Sequence, residues 1–139
     1  MNEEDQALRD ALDQIGDRWS LVVIRALLDG PRRFQELAEQ ISGIAPNVLS
    51  QRLKQLEQQA LVVSRPYSRR PLRLSYELTA RGSDLADAVR LLASWGARGS
   101  SGAAAPRHAT CGTPLETRWY CPTCATAVED LAETDIRVV

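Results

Sequence analysis

A mainly α-helical fold carrying one small β-hairpin, followed by a short Cys/His segment, is predicted by three observations. Apolar residues recur at helical spacing from Leu8 to Leu56 and again from Leu85 to Trp95. One pair of alternating runs, around LVVSR and RLSYEL, reads as two strands joined by a basic loop. All three cysteines and the single histidine lie between residues 108 and 124.

The elements follow in order. Leu8, Leu12 and Ile15 define a first helix that Gly16 ends, and Asp17 is placed to cap a second helix carrying Trp19, Leu21, Val22, Ile24, Leu27 and Leu28. After Pro31, the stretch RRFQELAEQ sets Phe34, Leu37 and Ala38 on one face. ISGIAPNV breaks at Gly43 and restarts with Pro46 in a helix's first turn, where its missing N–H costs nothing. The restarted helix, Pro46 to about Gln58, gathers Val48, Leu49, Leu53 and Leu56 on one side and Asn47, Ser50, Gln51 and Lys54 on the other. The strands are expected at Leu61–Arg65 and Arg73–Leu78, with Pro66, Arg69, Arg70 and Pro71 in the loop between them. Thr79 then caps one long helix with a stripe of Leu85, Ala88, Val89, Leu92 and Trp95. Three helices, a tight turn, a fourth helix, a hairpin and a closing helix make a winged helix-turn-helix over residues 1–96. Residues 97–106, rich in Gly, Ser, Ala and Pro, read as a flexible linker, and residues 107–139 as a separate small segment.

Charge narrows the function. The formal net charge of -1 hides a basic middle: residues 1–30 hold three Arg against seven acids, while residues 31–75 hold eight Lys and Arg against three Glu, a balance of +5. Residues 76–106 balance at zero and residues 107–139 at -2. A local basic patch in a near-neutral protein points to a polyanion contact. An α-helix fits the major groove of duplex DNA, and Asn47, Ser50, Gln51 and Lys54 supply amide, hydroxyl and ammonium groups for base edges or phosphates. Taken alone, such a face is usually just solvated; the turn, the wing and the basic segment together favour DNA. Arg32 and Arg33, at the start of the preceding helix, suit phosphate contacts that set position rather than sequence preference. Arg69 and Arg70 at the wing tip suit a minor groove or its phosphates. Arg52, beside the apolar stripe, is open between a phosphate and pairing with Glu57 or a partner helix. Trp19 and Trp95 continue apolar stripes and read as core or dimer-interface residues.

Other classes are excluded or disfavoured. No apolar run approaches the about 20 residues of a membrane span, and the acidic N-terminus is unlike a signal, so a cytoplasmic location without membrane contact is expected. No glycine-rich phosphate loop and no recognisable nucleophile argue for an enzyme.

The tail reads His108-x2-Cys111-x9-Cys121-x2-Cys124, the spacing of two knuckles converging on one tetrahedral Zn(II). One structural zinc per chain in a zinc-ribbon-like segment is the expectation, with Gly112 turning the first knuckle, ETRWYC entering the second as a strand and TAVEDLAETDI leaving it as strand or helix. A single metal orders a segment too short to bury a core of its own. A reversible Cys121–Cys124 disulfide is the alternative, and an odd cysteine count in an unexported chain argues against a disulfide framework.

Several motifs occur together here: Trp19-Ser20 before an apolar run, GPRRFQEL at 30–37, Gly43-Ile44, LSQRLKQLE at 49–57 and YELTARG at 76–82. In combination they closely resemble the HxlR-type winged-helix regulators of bacteria, over residues 8–96. The resemblance implies a transcription regulator that binds double-stranded operator DNA as a homodimer; repression is favoured over activation. It also implies that the terminal helices supply much of the dimer interface, and thiol switching occurs among regulators that this chain resembles. The apolar faces around Leu8, Leu12, Leu85, Leu92 and Trp95 exceed what one small core needs and mark the expected interface. A protein-binding winged helix with a zinc ribbon is the rival reading. Neither the operator nor the identity of any small-molecule effector is written in these motifs.

Overall fold

The computed structural model describes residues 2–98 and 106–128. The chain divides into two compact units, one of Leu8–Ala93 and one of Met1–Ala7 with Ser94–Val139. Most of the expected linker, residues 99–105, and the end of the tail from residue 129 lie outside the described residues.

The winged module forms as expected in outline. Helix α1 (Glu3–Ile15) ends at Gly16, and α2 (Ser20–Leu27) follows. Asp17 caps α2: its Oδ1 accepts the N–H groups of Trp19 at 2.8 Å and Ser20 at 3.0 Å, and the Ser20 hydroxyl donates to its other oxygen. The buried face of α2 is rotated from the simple reading, with Val23, Ile24, Ala26 and Leu27 buried and Val22 exposed. An eight-residue helix packed on several elements at once has its inward face chosen by those partners more than by its own periodicity. Trp19 packs against this core, with the Arg18 guanidinium 4.8 Å from its ring centroid.

Arg32 and Arg33 form a two-residue strand, β1, before α3 (Phe34–Gln40). Leu37 of α3, Ile41 and Ile44 of the turn, and Leu49, Leu53 and Leu56 of α4 (Pro46–Gln58) complete the core with Leu61, Val62 and Val89. Pro46 opens α4 as expected. At its far end Ala60 takes a left-handed φ of 57°, so that the Leu61 N–H reaches the Leu56 carbonyl at 2.9 Å and closes the helix.

The hairpin is longer and tighter than the sequence suggests. Strands β2 (Val62–Arg69) and β3 (Leu72–Leu78) pair antiparallel up to Arg69 opposite Leu72, leaving Arg70 and Pro71 as the tip, joined by a cis peptide. Pro66 lies inside β2 rather than in a loop. The sheet order β1-β3-β2 makes β2 an edge strand, and the register shifts between Pro66 and Ser68, so proline sits at a bulge where no ladder N–H is needed.

The closing helix is two helices. Thr79 Oγ1 accepts the Gly82 N–H at 3.1 Å and starts α5 (Ala80–Ser83), while α6 runs from Ala86 to Ala97. Between them the Leu85 N–H turns back to the Gly82 carbonyl at 3.2 Å, a tighter turn at a Gly-Ser-Asp stretch of weak helix formers. Ala97, expected to begin the linker, still belongs to α6.

In the tail, Arg107 bridges Pro114 across a turn at Gly112 (φ 72°), and β4 (Trp119–Cys121) pairs antiparallel with β5 (Thr126–Val128).

Candidate nucleic-acid interface

The apolar side of α4 is used up by the core: Leu49, Leu53 and Leu56 are buried, and the helix packs on α2 and β2. Its opposite side therefore faces out. Asn47, Ser50, Gln51 and Lys54 are all exposed, and among the described residues none spends its polar atoms on a side-chain hydrogen bond or an ion pair. Four polar groups on one rigid helix, none already satisfied, form a surface that an outside ligand can read.

Arg52 does not belong to that surface. Its Nε lies 3.3 Å from Asp17 Oδ1, a charge contact not aligned as a hydrogen bond, and its Nη1 donates to Gln55 at 2.6 Å. This tie between α2 and α4 stands in place of the pairing with Glu57, because Asp17 is already held beside Arg52 by its cap. Burial alone would raise the Asp17 pKa. The hydrogen bonds from the Ser20 hydroxyl and the Trp19 and Ser20 N–H groups, with the Arg52 charge, outweigh it and hold the carboxyl below its ordinary value.

The two arginines ahead of α3 lie on β1, where Arg32 pairs with Tyr76 and Arg33 with Ser75. The Arg33 N–H donates to Glu36 Oε2 at 2.7 Å, so a carboxylate already occupies the start of α3. The side chains, not the helix end, are what remains for a phosphate. On the wing, Arg65 pairs with Glu77, whereas Arg69, Arg70 and Arg73 form no ion pair among the described residues. Arg73 and Tyr67 are candidates that the sequence pattern does not single out; Pro66 was read as loop, and only with β2 running on to Arg69 does it mark a bulge at Tyr67.

The tail brings its predicted ligands together in pairs. His108 Nδ1 lies 3.3 Å from Cys111 Sγ. Cys111 Sγ is also 3.2 Å from Thr113 Oγ1, and the Thr113 hydroxyl and N–H, with His108, lower the thiol to about 7. The Cys124 N–H, the Cys124 thiol and the Thr123 N–H lower the Cys121 thiol, while the hydrogen bond and charge of Cys121 raise Cys124. Among the described residues, no three His, Cys, Asp or Glu side chains are grouped closely enough to hold a metal.

The family of HxlR-like helix-turn-helix proteins matches residues 14–102. The chain belongs to that family. The HxlR-like chain is 37% identical to the helix-turn-helix transcriptional regulator Rv3095 of Mycobacterium tuberculosis, over 87% of its own length and 78% of that protein, more than residues 14–102 span. It is 34% identical to the transcriptional regulator YodB of Bacillus subtilis over 63% of its length and 79% of that protein. Among solved structures, reduced YodB superposes with a TM-score of 0.59 at 31% identity, covering 73% of this chain and 96% of that one. The redox regulator HypR in its reduced form gives 0.64 at 27%, covering 68% and 94%. The HxlR-like chain is thus a transcriptional regulator with a helix-turn-helix DNA-binding domain, and none of its described helices is long and apolar enough to cross a membrane.

Proposed function

We propose that this chain binds double-stranded operator DNA sequence-specifically as a homodimer and acts as a repressor, with α4 in the major groove and the tip of the β2–β3 wing against the neighbouring minor groove or its phosphates. The observation that carries this is the exposed, unspent set of Asn47, Ser50, Gln51 and Lys54 on the helix whose other face is the core. Dimerisation rests on apolar side chains left outside: Leu8 and Leu12 on α1, where nothing is buried, and Leu92 and Trp95 on α6, Trp95 being 72% exposed; Leu85, expected with them, packs partly buried against the core. The test is duplex selection from a random library, followed by anisotropy titrations across salt. Asn47→Ala/Gln51→Ala should lose about tenfold or more for the selected duplex and keep its salt slope. Arg69→Ala/Arg70→Ala should weaken all duplexes alike and lower the slope by about 0.9 per lost phosphate contact. Sedimentation of the same samples should show a dimer. A protein that is monomeric at micromolar concentration, or whose retention on DNA ignores salt, contradicts the reading and favours a protein-binding module.

The tail is proposed to hold one structural Zn(II) through His108, Cys111, Cys121 and Cys124. Three thiols and an imidazole suit zinc, each pair already turns its donor atoms toward one another, and a thiol lowered to about 7 is readily deprotonated for a metal. Closing the site requires the two pairs to approach. Elemental analysis of protein purified under reducing conditions should give one zinc per chain, with the three thiols protected until chelation. Absence of metal with ready oxidation of Cys121 and Cys124 would replace zinc by a thiol switch, a reading supported by the similarity to HypR, a redox regulator.

A further inference from the structure

The ring of Tyr67 lies beneath the Arg33 guanidinium, whose central carbon is 4.4 Å from the ring centroid. Two irregularities produce this contact. Arg33 is drawn into β1 opposite Ser75, and Tyr67 is the extra residue of the β2 bulge, with Pro66 opposite Leu74 and Ser68 opposite Arg73. Tyr67 follows Arg65 by two residues and so shares the face of Arg65 and Arg33, and at the bulge, with no partner directly opposite on β3, its ring reaches across to the Arg33 guanidinium.

A stacked guanidinium spends its flat face on the ring and keeps its in-plane N–H donors free, the edge that grips a phosphate. Arg33 has no carboxylate partner for those donors among the described residues: Glu36 accepts its backbone N–H, and Glu77 is taken by Arg65. By strand register Arg33, Ser75, Arg65 and Arg73 share one face of the sheet, and of its three cations only Arg65 is neutralised. Both Arg33 and Tyr67 remain exposed. A cation held in place but left without a counter-ion, on the strand that leads into the helix-turn-helix, suits one backbone phosphate better than a base edge.

We propose that Tyr67 is a positioning residue that holds the Arg33 guanidinium as a clamp for one DNA backbone phosphate. The inference rests on the DNA-binding reading above. Its test is salt-dependent anisotropy titration of a fluorescent mixed-sequence duplex with the full chain. Arg33→Ala should lower the salt slope by about 0.9 per chain, one phosphate's worth. Tyr67→Phe, which keeps the ring, should bind like the wild type, whereas Tyr67→Leu should bind about threefold more weakly. In the Arg33→Ala background, Tyr67→Leu should cost nothing further, with melting temperatures unchanged throughout. Wild-type affinity in Tyr67→Leu, or the same loss with and without Arg33, overturns the clamp while leaving the DNA reading intact. A wild-type chain that ignores the duplex overturns both.

Discussion

Gly82→Ala should destabilise the winged module by about 3 kcal/mol, at the upper end for overpacking. Gly82 is buried where α5 meets the end of α4, and a Cβ on it would collide with the Leu61 carbonyl oxygen and come within 3.1 Å of Leu78 Cδ2. The clash is with backbone, which cannot swing aside as a side-chain end can. That same carbonyl accepts the Thr79 N–H at 3.0 Å, and the Thr79 hydroxyl donates to Ala60 at 2.6 Å, so retreat of Leu61 would also cost the α5 cap its anchorage. Arg81 adds to the junction by donating to the Gln59 carbonyl and the Gln14 side chain, both at 2.6 Å. A melting temperature lowered by on the order of ten degrees is the expected readout. Gly96→Ala is the matched control: nothing lies within 4 Å of its added carbon on α6, so it should be neutral or gain up to about 1 kcal/mol from helix propensity. Equal melting temperatures for the two variants would show that the close approach at Leu61 carries no cost.

Asp17→Ala should cost nearly as much, about 2–3 kcal/mol, by removing a helix cap and leaving the partly buried Arg52 without its counter-charge. Both side chains are under a third exposed, at 25% and 29%, so water only partly replaces the lost contact. Adding Arg52→Ala should then cost less than it does alone, because the charge it removes is already unpaired; additive losses would deny the coupling. The pH dependence has a definite sign. The folded-state pKa of Asp17 lies below 3.8, so the unfolded chain binds the proton more readily. The contribution of the carboxylate is therefore complete above the unfolded value and is lost as pH falls through the acid range below about 4. Asp17→Asn, which can still cap, should melt lower than the wild type at neutral pH and converge with it in acid. Parallel pH profiles for the two proteins would exclude this role.

Much of this was legible residue by residue. Pro46 marks a helix start because it lacks only a donor that position never uses, and Leu49, Leu53 and Leu56 mark the inward face of α4 because their spacing matches the helical repeat. Thr79 announces its cap by chemistry, and the basic stretch announces a polyanion by charge alone. In the tail, the spacing of His108 with Cys111 and of Cys121 with Cys124 foretold two turns that each bring a pair of donors together.

The amino-acid sequence by itself thus determined the order of the helices, the outward polar face of α4, the position of the wing and the pairing of the Cys and His side chains in the tail. All of these depend on neighbours three or four residues apart, or on the character of single residues. The tertiary structure alone decided that Arg32 and Arg33 join a sheet with residues more than forty positions away, that Pro66 sits inside β2 beside a bulge and that Arg52 turns to Asp17 instead of Glu57. It also decided which side of α2 goes inward. Each of these is a choice among competing partners brought together only when the chain closes on itself, and local periodicity carries no record of which partner wins.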